Sequence, residues 1–282
     1  MLIPPSIVLI IYGIVTEQSI GRLFLAGIIP GLLISALFMV VTYCWVRISP
    51  EIAPKAGKAP MNERLRALPE FLVVAAIFLF VIGGLMLGKF IPTEAGRLGT
   101  LAVILLAAVR REVNFKMLVK SWDESIRTAV MTLVLIAGSV VLGHFLTITE
   151  IPFIVADWAT TLPLPRFLIL MIIICVYLLG GSFIDDLAFM ILATPIFMKA
   201  VTGLGYDLVW FGIMVGITLM IGAIIPPVAI CVFIVRNVTG IPFNTIYKGV
   251  LPFLISLGVA ALLMFVLPSL ATWLPNLVMG AP

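Results

Sequence analysis

The stretch Gly222-Ala-Ile-Ile-Pro-Pro227 decides how this chain folds, because it interrupts an apolar segment that otherwise suits a membrane helix. Proline lacks the backbone N–H that a helix needs, so two consecutive prolines break the hydrogen-bond ladder. Hydrocarbon cannot satisfy the carbonyl groups that such a break frees, and the break must therefore face protein, water or an ion. The stretch predicts a discontinuous helix at about residues 207–240, made of two half-helices.

The composition places this break inside a membrane. Of the 282 residues, 63% are hydrophobic and 11% are charged, whereas an ordinary soluble domain is about 25% charged. Apolar runs at 71–88, 129–146, 168–179 and 251–267 approach or reach the roughly 20 residues that span a bilayer. The predicted fold class is an all-α polytopic membrane protein whose solvent is the lipid bilayer.

Positive charge is concentrated in two stretches of the chain. Ten of the 17 Lys and Arg residues lie at 47–66 and 110–127. The positive-inside rule places both stretches in the cytoplasm. A nucleic-acid patch explains them poorly, because the basic residues lie beside apolar runs and are interleaved with acidic residues. We therefore expect no nucleic-acid partner.

The diproline recurs near the start of the chain. At an offset of 222 residues, breaker and small residues coincide: Ile3-Pro-Pro5 with Ile225-Pro-Pro227, Gly27 with Gly249, and Pro30 with Pro252. Each copy is predicted to contain a half-helix, a turn and a long helix with a Gly-x-x-Pro kink. Basic residues follow the long helix in the first copy and flank its start in the second, so the copies are predicted to be inverted. Inverted repeats with broken helices are typical of secondary transporters.

These patterns divide the chain into three regions: the end of the first repeat at 1–47, a cytoplasmic loop at 48–70, and the second repeat at 71–282. Within the second repeat we expect a re-entrant hairpin at about 166–201 with its turn at 180–186, because each arm is short for a full span. Residues 151–165 carry three prolines and are predicted to form an irregular or interfacial connection.

Two interruptions of the backbone offer oxygen ligands to a hard cation such as sodium. The break at Ile225-Pro-Pro227 leaves carbonyl groups available, and the turn adds the hydroxyl of Ser182 and the carboxylates of Asp185 and Asp186. Carboxylates near the membrane interior are costly and point to function. Two simpler interpretations stay open, in which the diproline is only a kink and Asp185 only caps the following helix.

Other residue patterns bear on the class of protein. Thr93 and Glu94 follow a proline, so they either support an ion site or simply begin a helix. The sequence contains no nucleotide-phosphate loop, no metal-ligand cluster and no nucleophile paired with a base. We therefore expect neither an enzyme nor an ATP-driven pump, and no cofactor apart from a coupling ion.

Several short motifs follow one another along nearly the whole chain. They are Ile3-Pro-Pro-Ser-Ile7, Tyr12-Gly-Ile-Val-Thr-Glu-Gln-Ser-Ile-Gly21, Leu23-Phe-Leu-Ala-Gly-Ile-Ile-Pro-Gly31, Gly83-Gly84 with Pro92-Thr-Glu-Ala95, Gly181-Ser-Phe-Ile-Asp185, Pro195-Ile196, Trp210-Phe-Gly212 and Gly222-Ala-Ile-Ile-Pro-Pro227. In this order the motifs resemble the large permease subunit of tripartite ATP-independent periplasmic (TRAP) transporters, the DctM-like family.

The resemblance implies a function and partners. It implies sodium-coupled uptake of an organic acid of the C4-dicarboxylate, keto acid or sialic acid type across the bacterial inner membrane. A periplasmic solute-binding protein would deliver the substrate, and a small membrane subunit would pair with this chain. The implied mechanism is an elevator, in which hairpins and broken helices carry the site past a scaffold.

The resemblance also implies a set of site residues. One sodium is expected at Gly181, Gly222, Ile225 and Val228, and another near the first break at Ile3 and Pro4. The substrate is expected beside the second break and the hairpin turn, at Ser182, Asp185, Pro226 and Pro227.

Three departures from the family pattern matter. The family commonly has Thr before the second diproline and Gly soon after it, where this chain has Ile225 and Ala229. Family members also continue upstream of the first diproline, so we expect this chain to correspond to the C-terminal two-thirds of the permease and to be unable to transport alone.

The alternative interpretation is a channel-like or non-transporting scaffold component, whose breaks line a water-filled pore.

Overall fold

The computed structural model describes residues 2–52, 60–86, 89–226 and 229–280, and this part of the chain is helical without any β-strand. The helices are α1 (Ile7–Thr16), α2 (Ile20–Ile48), α3 (Met61–Met86), α4 (Pro92–Val109), α5 (Phe115–Ile148), α6 (Ile151–Thr161), α7 (Arg166–Phe183), α8 (Asp186–Gly203), α9 (Leu208–Gly222), α10 (Ile230–Thr239), α11 (Phe243–Val266) and α12 (Ser269–Met279). Within the described residues, six helices are long and apolar enough to cross a membrane, namely α2, α4, α5, α7, α8 and α11. The predicted all-α polytopic membrane class is confirmed.

The contacts divide the chain into two units, one of Met1–Cys44 with Val134–Pro282 and one of Trp45–Leu133. In the second unit α3 packs against α4, and the rings of Phe80 and Phe90 meet edge to face at 5.5 Å. Large apolar side chains such as Leu79 and Leu101 remain exposed on these helices. Surfaces of this kind suit contact with lipid, because apolar side chains gain nothing from water.

Helix α9 is the centre of the first unit. Every residue from 209 to 219 is buried, and α1, α7, α8, α11 and α12 all pack against the helix. The indole Nε1–H of Trp210 donates to the carbonyl oxygen of Met264 at 3.0 Å. The hydroxyl of Tyr12 donates to the carbonyl oxygen of Leu208 at 2.8 Å. These hydrogen bonds fix the N-terminal end of α9 between α1 and α11, because each satisfies a buried polar group.

The two diprolines are followed by the same order of elements. Helices α1 and α10 are ten residues each, and they precede the long helices α2, of 29 residues, and α11, of 24 residues. Pro30 lies inside α2 and Pro252 inside α11. This correspondence fits the predicted duplication, while the opposite orientation of the two copies stays a prediction.

Two segments differ from the sequence-based expectations. Residues 151–161 form helix α6 instead of an irregular connection, and Pro152 stands in the first helical turn, where the missing N–H costs nothing. Helix α6 packs against α8. An isolated helix of this length is only marginally stable, so the packing against α8 stabilises it. Helix α3 begins at Met61, inside the stretch 48–70 that was predicted as a loop.

We expect alanine at Gly27 to destabilise the fold, and alanine at the repeat-related Gly249 not to. A Cβ atom on Gly27 would overlap the carbonyl oxygen of Leu2, whereas one on Gly249 would meet no atom within 4 Å. Overpacking of this kind costs about 1–3 kcal/mol, whereas Ala in an open helical position gains up to about 1 kcal/mol over Gly.

The measurement is the thermal unfolding temperature of the complete protein in detergent. Gly27→Ala should lower this temperature, and Gly249→Ala should leave it unchanged or raise it slightly. Equal shifts in the two variants would contradict the close contact between α2 and the first break.

Candidate cation site

The predicted hairpin consists of α7 and α8, joined by Ile184 and Asp185 alone. The turn is shorter than the predicted stretch 180–186, because α7 continues through its glycines as far as Phe183. These glycines allow close packing instead of turning the chain. A Cβ atom on Gly181 would lie 3.0 Å from Cδ2 of Leu219 in α9, and one on Gly180 would overlap the ring of Phe189.

Asp185 caps the N-terminus of α8. Its Oδ1 atom accepts hydrogen bonds from the backbone N–H groups of Leu187 at 3.1 Å and Ala188 at 3.2 Å, and its side chain is exposed. The capping interpretation that the sequence left open is therefore observed. The predicted contact of Asp185 with substrate stays a prediction.

The diproline stands where α9 ends and α10 has not yet begun. The N–H groups of Ala223 and Ile225 donate to the carbonyl oxygens of Leu219 and Ile221, at 2.9 and 3.1 Å. Pro226 follows and is exposed, while the predicted site residues Pro227 and Val228 lie outside the described residues. The second half-helix, α10, then starts at Ile230, so this is a break and not a kink within one helix.

The end of α7 and the end of α9 meet in direct backbone contact. A Cβ atom on Gly222 would lie 3.0 Å from the carbonyl carbon of Gly181 and 3.3 Å from its oxygen, and both glycines are buried. We call this contact the Gly181–Gly222 junction. Because the last carbonyl groups of a helix lack intrahelical partners and carry negative partial charge, two such ends form an electronegative site.

The neighbouring predicted residues lie beside this junction along the chain. Ser182 is buried, and its hydroxyl donates to the carbonyl oxygen of Leu178 at 2.7 Å, which leaves the hydroxyl oxygen as an acceptor. Ile225 is half-buried and its side chain carries no oxygen. Any ligand from Ile225 must therefore be its backbone carbonyl.

The sequence named Asp186 together with Asp185 as a possible ligand, but it did not show that only Asp186 is buried. Its side chain is only 8% exposed, and within the described residues its Oδ1 atom has no hydrogen-bond partner. A Cβ atom on Gly181 would lie 3.6 Å from this oxygen. The order of the two acids could have indicated this difference, because Asp185 takes the capping position and Asp186 is the first residue of the helix.

The first break also packs against α9. Leu2 and Pro4 are buried and Ile3 is exposed, and Cδ2 of Leu2 lies 3.2 Å from where a Cβ atom on Gly216 would stand. Gly216 and Gly222 are six residues apart, about 9 Å along a helix axis. One buried helix therefore contacts Leu2, next to the predicted ion site at Ile3 and Pro4, and also forms part of the junction.

Thr93 and Glu94 belong to the other unit, in the first turn of α4. The Oε2 atom of Glu94 accepts a hydrogen bond from the N–H of Ile91 at 3.1 Å, and both residues are exposed. A carboxylate that bonds back to the residue before the helix is half of a capping box. Thr93 and Glu94 therefore begin a helix, as one of the two interpretations predicted. Their support of an ion site stays a prediction.

A cavity of about 470 Å³ lies elsewhere in the first unit, between α1, α5, α6 and α8. Its charged and titratable lining groups are Glu17, His144 and Lys199, and its other lining residues are mainly apolar. The Nζ atom of Lys199 lies 4.7 Å from the centroid of the Phe153 ring, where a cation is attracted to the ring face. The cavity therefore differs in charge from the junction, whose one charged side chain is acidic.

Many secondary transporters are helical membrane proteins with interrupted helices that meet in the protein interior. Residues 1–270 match the family described as "Tripartite ATP-independent periplasmic transporter, DctM component". The chain belongs to this family, as the motifs predicted, and the family is one of transporters and not of enzymes.

Several proteins resemble the chain over nearly all of its length. It is 34% identical to the sialic acid TRAP transporter large permease protein SiaM of Vibrio cholerae over 285 residues, which cover 99% of the chain and 65% of the relative. It is 32% identical to the C4-dicarboxylate TRAP transporter large permease protein DctM of Pseudomonas aeruginosa over 277 residues, which cover 98% and 64%. The chain thus spans a little under two thirds of the length of these relatives.

We expect the break to tolerate glycine at position 229 better than at position 223. Ala229 is buried and adopts a left-handed conformation with φ 45°, which costs a residue with a Cβ atom about 1–2 kcal/mol. Its replacement by Gly removes this cost, loses roughly 0.8 kcal/mol of methyl burial and adds unfolded-state entropy worth about 0.4–1 kcal/mol. The net change in the free energy of unfolding is therefore expected to lie within about 0.8 kcal/mol of zero.

Ala223→Gly is the matched control. Ala223 is also buried, but its φ of −61° is right-handed, so its replacement loses the methyl burial and adds unfolded-state entropy, about 1–2 kcal/mol together. Thermal unfolding in detergent measures both variants. A loss at Ala229→Gly as large as that at Ala223→Gly would show that position 229 is not strained.

Proposed function

We propose that the chain is the large membrane subunit of a sodium-coupled importer of organic acids in the bacterial inner membrane. It works with a small membrane subunit and with a periplasmic solute-binding protein that delivers the substrate. The relatives' names specify sialic acid and C4-dicarboxylate, which share a carboxylate group. An organic anion with at least one carboxylate is therefore the substrate class that we propose.

The observation that supports sodium coupling is the Gly181–Gly222 junction. It brings together the ends of α7 and α9 inside the unit, where carbonyl oxygens of helix ends lack intrahelical partners. Unwound carbonyls and helix C-termini are the groups with which secondary transporters coordinate sodium.

The residues that would hold sodium follow from this geometry. Carbonyl oxygens of Gly181, Gly222 and Ile225 would serve at the junction together with Val228, and those of Ile3 and Pro4 would serve at the first break. The bound ion would supply positive charge that offsets the two helix ends and favours a carboxylate nearby. Ser182, Asp185 and the prolines 226 and 227 would contact the substrate.

The elevator mechanism is the proposed mode of movement. In such a mechanism the broken helices and the hairpin that form the substrate site must keep their positions relative to one another, so another helix must hold them together. Helix α9 suits this role, because it is buried along its length and contacts both α7 and α8. The proposal is that these helices move together as one body.

Uptake in proteoliposomes tests the function. The complete protein is reconstituted with its small subunit and binding protein, and uptake of a labelled C4-dicarboxylate or sialic acid is followed with and without an inward sodium gradient. We expect a saturable rate that requires the gradient and the binding protein. A channel-like component would instead give a rate that is not saturable and does not depend on sodium.

Alanine at Gly222 tests whether the junction carries the coupling. The added Cβ atom would approach the backbone of Gly181 to 3.0 Å, and because backbone cannot rotate away as a side chain does, the two helix ends must separate. We expect a loss of uptake of at least about tenfold with a raised sodium requirement, since displacement by 1 Å in a site costs about 10²-fold.

Gly258→Ala in α11 is the control, because a Cβ atom there meets no atom within 4 Å. It should leave uptake and the half-saturating sodium concentration unchanged. Gly222→Ala with the same half-saturating sodium concentration as the unaltered protein would contradict a sodium site at the junction.

A further inference from the structure

Asp186 is a buried carboxylate that the fold leaves incompletely satisfied. Its side chain is more than nine-tenths buried, and its Oδ1 atom has no hydrogen-bond partner among the described residues. The ion pairs found in the described part of the chain, both within α5, do not include it. A buried charge without a partner destabilises a protein by several kcal/mol, so this carboxylate must either take up a proton or bind a cation.

The unpartnered oxygen is directed towards the Gly181–Gly222 junction. It lies 3.6 Å from the position of a Cβ atom on Gly181, and the backbone of Gly181 is in turn in contact with Gly222. The Asp185 side chain, one residue earlier, is instead exposed and engaged with backbone N–H groups of α8. Of the two adjacent acids, Asp186 alone is buried at the junction.

We propose that Asp186 is a charged ligand of the monovalent cation at the Gly181–Gly222 junction. The inference rests on the proposed sodium coupling and deepens it. On the α9 side of the junction, Ile225 offers no side-chain oxygen. The carboxylate of Asp186 supplies one from the hairpin side, and it adds a full negative charge to the partial charges of the two helix ends.

This arrangement makes sodium part of the stability of the fold. Without a cation, the carboxylate and the two electronegative helix ends are buried near one another. A cation that binds the folded state but not the unfolded chain raises the free energy of unfolding with its concentration. Removal of the charge by Asp186→Asn should therefore weaken sodium binding and also stabilise the protein in the absence of sodium.

The experiment measures the thermal unfolding temperature of the complete protein with its small subunit in detergent, without substrate. Sodium chloride is titrated against choline chloride at constant ionic strength. We expect the unaltered protein to unfold at a higher temperature in sodium. In Asp186→Asn, the half-saturating sodium concentration should rise at least about tenfold, as is usual when metal-site groups are altered, and the unfolding temperature in choline should rise.

Asp207→Asn is the matched control, because it removes an exposed charge that caps the N-terminus of α9, while Asn remains a good N-cap. It should keep the sodium-dependent shift. Asp186→Glu keeps the charge on a longer side chain, and we expect it to keep a sodium-dependent shift with a changed half-saturating concentration.

The outcomes separate the two proposals. If the unaltered protein shows no sodium-dependent shift, the proposed coupling at the junction fails, and the role of Asp186 fails with it. If that shift is present and Asp186→Asn keeps it at the same sodium concentration, the role of Asp186 alone is overturned. A lower unfolding temperature of Asp186→Asn in choline, or an unchanged half-saturating concentration in Asp186→Glu, also contradicts the inference.

Discussion

The structure depends on the contact between two helix ends at Gly181 and Gly222. Neither residue has a Cβ atom, so the backbones of α7 and α9 approach each other inside the protein. Carbonyl groups at such ends cannot find partners in lipid, and they cannot find them within their own helices. Their position next to a buried carboxylate makes the junction electronegative. A bound cation would offset this negative charge, whereas a further hydrogen-bond acceptor would add to it.

The surrounding packing explains why the two ends stay in register. Across the hairpin, the hydroxyl groups of Tyr177 in α7 and Thr194 in α8 lie within hydrogen-bond distance at 3.0 Å. The ring of Tyr177 also meets the rings of Phe189 and Phe211 edge to face, both at 5.8 Å. The cluster therefore connects both arms of the hairpin with α9, and each edge-to-face pair adds about 0.5–1.5 kcal/mol beyond burial. A rigid core of this kind can hold backbone oxygens in place without side-chain ligands.

The sequence predicted those features that single residues impose on the backbone. Two consecutive prolines break the hydrogen-bond ladder of a helix, so the break after α9 and the duplicated element order follow from the diprolines that contain Pro226 and its repeat-related residue Pro4. The glycines of α7 were misread as a turn because their role is packing, which depends on Leu219 and Phe189 in other helices. The helix at 151–161 and the burial of Asp186 were likewise not predictable, since both arise from contacts with distant parts of the chain.

The departures from the family pattern indicate which property of the break is indispensable. Ala229 keeps the left-handed conformation that glycine adopts without strain, so the path of the backbone is retained at a cost in stability. Ile225 offers a backbone carbonyl and no side-chain oxygen. The α9 side of the junction can therefore supply backbone carbonyl oxygens only. A side-chain oxygen can reach the same place from the hairpin side, because the two helix ends are in contact.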